Sequence, residues 1–297
     1  MPACILARNR PSDRILALAA KLLNTGGTMT AIPSPYPTAP ARRRSLLPHE
    51  HGAWGQLGMP LAAALAIGRP NAPALLLTAA IVLAFVAHEP LLVALGQRGF
   101  RAAQEDGPRA RRWLAVLAAL AAASGAAGVA LAPAVARAAL AIPAALTVVV
   151  AVLVWRRREK TIAGEIAVAA ALASAASAVA LAGGAPVRSA AAALAAWVLG
   201  FSAAPLAVQV ILVRVRSKGG NDPGKRHAAG AALLLAAGFA LAAIGMPPAV
   251  GWATAPTAVV SVIVCLGRFS PKRLRELGWA LVASSAATLI ILVAGLR

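Results

Sequence analysis

From Ala53 to its end the chain repeats one unit nine times, a long apolar run followed by a short polar link. The runs cover about Ala53–Gly68, Ala72–Leu95, Trp113–Ala132, Ala138–Trp155, Ile162–Ala182, Ala190–Val213, Ala228–Ile244, Ala249–Leu266 and Gly278–Leu296. About 17–25 apolar residues cross roughly 30 Å of hydrocarbon as a helix. Backbone groups in lipid must be satisfied inside their own segment, so runs of this kind are helices rather than open sheet. Barrel strands would alternate apolar and polar residues, and these runs do not. The expected fold is all-α: a polytopic bundle of about nine transmembrane helices.

The links alternate in charge. Of the 29 Lys and Arg, 25 fall in the arm before the first run and in every second link, at Arg98–Arg112, Arg156–Lys160, Arg214–Arg226 and Arg268–Arg275. The opposite links hold only Arg69, Arg137 and Arg188, with Arg297 at the end. Basic loops stay in the cytoplasm. The expected orientation is therefore amino end in and carboxyl end out, in the cytoplasmic (inner) membrane. With 60% hydrophobic residues the chain is too apolar for an ordinary soluble domain. Its net charge of +20 is spread over five links on one side. That pattern suits topology and anionic lipid head groups, and no nucleic-acid partner is expected. Cys4 and Cys265 form no ligand pattern or disulfide framework.

Residues 1–48 read as a separate cytoplasmic arm, basic, proline-rich and disordered, ahead of a membrane domain over 49–297. Its apolar stretch Ile15–Leu23 is too short to span and lacks a small-residue cleavage site. Met29 is an alternative start, since nothing before it is needed by the rest.

All nine acidic residues and all four histidines lie in the arm, in the basic links, or within a turn or two of them. Ionisable groups at membrane depth are costly and mark functional sites by default. Pro48-His49-Glu50-His51-Gly52-Ala53-Trp54 precedes the first span. His88-Glu89-Pro90 falls inside the second, where proline would kink the helix. A buried Glu89 needs a partner, and Arg98 or Arg101 can fold back to supply it. Arg156-Arg157-Arg158-Glu159-Lys160-Thr161 opens the fifth span, with Glu165 one turn inside. Gln209, Arg214 and Arg216 close the sixth, followed by Gly219-Gly220-Asn221-Asp222. The resulting candidates are Glu89, Glu165 and His88 for catalysis. His51, Arg98, Arg101, Lys160, Arg214, Arg216 and Asn221 are the candidates for substrate binding. Cations at the mouth of an apolar bundle favour an amphiphilic anion.

The Pro48–Trp54 stretch with its HGAW element, together with His88-Glu89-Pro90 and Arg98-Gly99-x-Arg101, resembles the YwiC-like family of bacterial membrane proteins. The likeness spans residues 46–297 and supplies no activity. The helix count, the inside amino end and the basic-Thr segment Arg158-Glu159-Lys160-Thr161 also resemble the UbiA superfamily of intramembrane prenyltransferases. That resemblance implies a prenyl diphosphate or quinone-type lipid and magnesium held by aspartate-rich motifs after spans 2 and 6. Here only Glu89 stands near the first motif, with Leu92 and Gly96 where aspartates would be. Arg214, Arg216 and Lys218 replace the second, with only Asp222 acidic. The resemblance therefore implies the architecture and leaves magnesium and the transfer reaction open. The expected function is binding or processing of an isoprenoid or other lipid anion at the cytoplasmic face. A transporter or flippase, or a non-catalytic membrane scaffold, are the alternatives.

Overall fold

The computed structural model describes residues 45–48, 51–156, 158, 161–216, 222–267, 269–270 and 273–297, the side chain of His51 excepted. Among them there are ten helices and no strand: α1 His51–Ile67, α2 Ala72–Ala94, α3 Phe100–Leu131, α4 Ala134–Ala139, α5 Ala141–Trp155, α6 Ile162–Ala182, α7 Val187–Arg216, α8 Gly224–Ala243, α9 Ala249–Leu266 and α10 Leu274–Leu296. Eight helical stretches are long and apolar enough to cross a membrane, with α4 and α5 forming one of them. The chain is a multi-pass helical membrane protein. Helix α1 has 17 residues. At 1.5 Å per residue it is about 26 Å long, and it does not join the eight.

Local chemistry accounts for the boundaries. Asn71 caps α2, its Oδ1 accepting from the Ala74 amide at 3.1 Å. Thr161 caps α6 in the same way through the Gly164 amide at 3.1 Å, and its hydroxyl donates to the Arg158 carbonyl at 2.8 Å. The fourth expected span is interrupted at Leu140. Pro143 has no N–H to give to the Ala139 carbonyl and its ring crowds that carbonyl, so α4 ends there. By contrast α2 runs unbroken through Pro90.

Helices α6, α7 and α9 form the centre: 56% of the apolar stretch of each is buried, against 6% for α4–α5. Alanines make this possible. Ala173, Ala176 and Ala180 of α6 and Ala192, Ala193 and Ala196 of α7 are buried in one cluster, where small side chains let helix backbones approach. Val148 of α5 is 64% exposed, as a lipid-facing residue should be. Buried hydroxyls join α9 to α10. Thr288 Oγ1 donates to the Ala253 carbonyl at 2.7 Å. Ser284 spends its proton on the Leu281 carbonyl, so Thr257 must donate the 3.2 Å bond between their hydroxyls.

At one end of the bundle the α1–α2 link is stitched to the end of α6. The Arg69 amide donates to the Gly183 carbonyl at 2.8 Å, and Asn71 Nδ2 to the Ala182 carbonyl at 2.9 Å. A Cβ on Gly183 would stand 2.8 Å from Arg69 backbone atoms, so the crossing requires glycine. The opposite end carries the basic links.

Two of those links are shorter than expected. The stretch from Arg98 to Arg112 is helical from Phe100, because α3 extends three turns beyond its apolar part. Its buried Ala102, Asp106 and Ala110 recur every four residues, a helical face that packs on α2. The link from Arg214 to Arg226 is likewise trimmed from both sides, since α7 runs to Arg216 and α8 begins at Gly224. The arm expected over residues 1–48 lies outside the described residues except for Ser45–Pro48. There Leu46 is buried against Val93 and Ala110.

Candidate functional site

The α2–α3 turn assembles the first cluster. Gly96 and Gly99 have φ of 71° and 100°, values that residues with a Cβ rarely adopt. The reversal they permit brings Arg98 back onto the preceding helix, where its guanidinium donates to Glu89 Oε2 at 2.5 Å. The Glu89 side chain is 8% exposed and that of Arg98 is 44% exposed. This is the pairing that a glutamate inside an apolar run demanded. His88, one residue back and so about 100° around the helix, is exposed. Arg101 is exposed and lies 3.7 Å from Glu105 one turn on. Trp54 ties the chain ahead of α1 to the same region: its Nε1 donates to the Pro48 carbonyl at 3.1 Å, and its ring meets Phe85 of α2 edge-on at 5.0 Å.

The second cluster gathers the ends of α7, α8 and α9 around Arg214. Its Nε and one terminal nitrogen donate to the two Asp222 oxygens at 2.9 and 3.1 Å. The same side chain donates to the carbonyls of Gly267 at 2.5 Å and Cys265 at 2.7 Å. Those carbonyls close α9, where no further amide can satisfy them, and a cation suits a helix carboxyl end. Asp222 in turn accepts from the Gly224 amide at 2.9 Å and so orders the start of α8. A Cβ on Gly224 would stand 2.5 Å from the Cys265 carbonyl, and only glycine lets the helix ends meet this closely. Four of the five Arg214 donors are used in joining these helix ends.

Beside this clamp lies a cavity of about 500 Å³ lined by Ile162, Gln209, Val213, Asp222, Pro223, Lys225, Arg226 and His227. Its walls are the start of α6, the last turns of α7 and the first turn of α8. His227 Nδ1 is 3.0 Å from the Pro223 carbonyl. A carbonyl only accepts, so Nδ1 carries the proton and Nε2 is left as acceptor, or as donor once protonated. Lys225 and Arg226 are exposed and form no ion pair among the described residues.

The candidates thus separate into two groups. Glu89, His88, Arg98 and Arg101 sit on the α2–α3 hairpin. Arg214 and Arg216 sit at the end of α7, where Arg216 is exposed. Glu165, half-buried in the first turn of α6, stands on the helix between them, since both α2 and α7 pack against α6. Lys160 and Asn221 lie outside the described residues, as does the His51 side chain. Asp106, buried on the α3 face, and the cavity residues Lys225, Arg226 and His227 were not singled out by sequence. Three consecutive cationic or imidazole residues opening an apolar run were the available signal.

Magnesium with a diphosphate needs several convergent carboxylate oxygens. Glu89 is committed to Arg98, and Asp222 to Arg214 and the Gly224 amide. Among the described residues no three His, Cys, Asp or Glu converge as metal ligands. The donor set among the described residues does not fit that group.

No curated protein and no solved structure matches the chain. One family model, described as YwiC-like protein, matches residues 47–180. The match takes in the HGAW element, the α2–α3 hairpin and most of α6, and it stops short of the expected 297. The Arg214 clamp and most of the cavity wall lie beyond it. Over residues 47–180 the chain is similar to the YwiC-like family.

Proposed function

We propose that the protein binds, and as an enzyme would process, an isoprenoid or other amphiphilic lipid anion at the basic end of the bundle. The observation that carries the reading is the Glu89–Arg98 pair, a carboxylate buried at one end of an apolar helix and held by a half-exposed guanidinium. Such a pair keeps a charged group ready at the edge of hydrocarbon, where a lipid presents its head. Buried ion pairs are weak contributors to stability, and intramembrane ionisable groups are retained chiefly for function. In this reading Glu89 or Glu165 is the acid/base and His88 assists. Arg98, Arg101, Lys160 and Arg216 balance a phosphate, with His51 and Asn221 at the rim. Arg214 acts through the scaffold. In this reading the basic end faces the cytoplasm of a bacterial inner membrane, which the alternation of basic links supports, and the arrangement would resemble that of the UbiA superfamily without its aspartate motifs.

The test is thermal unfolding of the full chain in lipid nanodiscs with farnesyl diphosphate, with and without magnesium. A ligand that binds the native state raises its stability by mass action. A magnesium-independent rise is expected. No rise under either condition would refute the reading and move the assignment to a scaffold or transporter.

A further inference from the structure

The cavity between α6, α7 and α8 carries an unbalanced charge. The one carboxylate among its described lining residues, Asp222, is held by both Nε and a terminal nitrogen of Arg214 and by the Gly224 amide. That neutralises the acid without using the cations that line the space. Among the described lining residues Lys225 and Arg226 therefore leave a surplus of two positive charges, with His227 and Gln209 as further polar groups of the lining. All three of the basic side chains stand in the first turn of α8, where the helix dipole disfavours cations. An anion placed among them would relieve that repulsion. Ile162 and Val213 supply the apolar part of its lining.

From these observations we infer that this cavity is the head-group site for a lipid phosphomonoester or diphosphate, with Lys225 and Arg226 as its charge partners and His227 and Gln209 as its hydrogen-bonding partners. The inference rests on the proposed lipid-anion reading, names the ligand class within it, and seats the head group in this cavity rather than on the α2–α3 hairpin. The surplus of two charges decides the class. A phosphomonoester carries about −1.5 to −2 near neutrality, whereas a carboxylate or a phosphodiester carries one. The volume of about 500 Å³ is at the lower end of the roughly 300–1,000 Å³ range of small-molecule sites. It holds a head group and the first carbons of a chain, and the remainder would run along exposed helix faces into lipid. Arg214 is the positioning residue, because it fixes Asp222 and with it the start of α8.

The experiment measures farnesyl diphosphate binding to the full chain in nanodiscs of neutral lipid. It compares wild type, Lys225→Gln/Arg226→Gln, and Arg111→Gln/Arg112→Gln, which removes the same charge from the exposed face of α3. The expected result is a weakening of at least about 30-fold for the α8 double variant, against a few-fold for the α3 control. The two losses being equal would overturn the site, since bulk charge alone would explain them. His227→Gln should weaken binding less, and Lys225→Arg/Arg226→Lys should restore it. Inorganic diphosphate should compete more weakly than the lipid. Equal affinity would refute the lipid part, and farnesol binding as tightly as its diphosphate would refute the phosphate part. Wild type that binds none of these would refute the lipid-anion reading itself. Binding lost with Arg98→Gln but kept in the α8 double variant would overturn only the placement.

Discussion

Removing the Arg214 guanidinium tests the scaffold most directly. Arg214→Gln deletes four hydrogen bonds that join the ends of α7, α8 and α9. The two to Asp222, whose side chain is 55% exposed, resemble a surface pair and are worth at most about 1 kcal/mol together. The two to the Cys265 and Gly267 carbonyls are charge-assisted and come from a side chain only 19% exposed. At about 1.5 kcal/mol each, they bring the local loss to roughly 3 kcal/mol after solvent recovers part of the Asp222 term. An opening equilibrium shifted by that amount changes ~150-fold. Cys265 reports it: the residue is fully buried against Val210 and Ala228 at this junction. In a Cys4→Ser background, maleimide labelling of Cys265 in the folded protein should accelerate on the order of 100-fold in Arg214→Gln. Arg214→Lys, which keeps the charge and loses the fork, should give an intermediate rate. Labelling within about 5-fold of wild type for both variants would refute the clamp.

Three further predictions follow from the same geometry. Arg98→Gln strands Glu89 in a buried position and should destabilise the protein by about 2 kcal/mol, less than a fully buried pair because Arg98 is half-exposed. Glu89→Gln, which leaves only a solvated arginine, should cost under about 1 kcal/mol. Equal losses by denaturant titration would show that burial of the carboxylate is not what the pair relieves. Gly224→Ala drives a Cβ to 2.5 Å from the Cys265 carbonyl and should lower thermal stability by roughly 2 kcal/mol while speeding Cys265 labelling; an unchanged midpoint would contradict the close approach. Asn71→Ala loses both the α2 cap and the bond to the Ala182 carbonyl, an expected loss of about 1–2 kcal/mol, and a value near zero in the same titration would argue against it.

Nearly every element was legible in the sequence because a membrane helix is specified by length and apolar composition, both local quantities. The spans near Ala72, Ile162 and Ala249 begin in the structure where the apolar runs begin. Charge marked the basic end of the bundle, and a glutamate placed in a run such as the second required a partner; Arg98 supplies it at 2.5 Å. Three things stayed hidden. Polar residues 100–112 read as a link, yet they are helical, with Ala102, Asp106 and Ala110 buried and Ala110 clustered with Val93 of α2. The bonds of Arg214 to the α9 carbonyls were not legible either, since those carbonyls lie more than fifty residues away in sequence. The cavity joins Ile162, Gln209 and His227 from three helices, and no spacing along the chain encodes that meeting. Hydrophobic partition decides which segments are helices, and a single sequence states it. Which side chains face one another depends on helix rotation and long-range packing, which only the assembled bundle fixes.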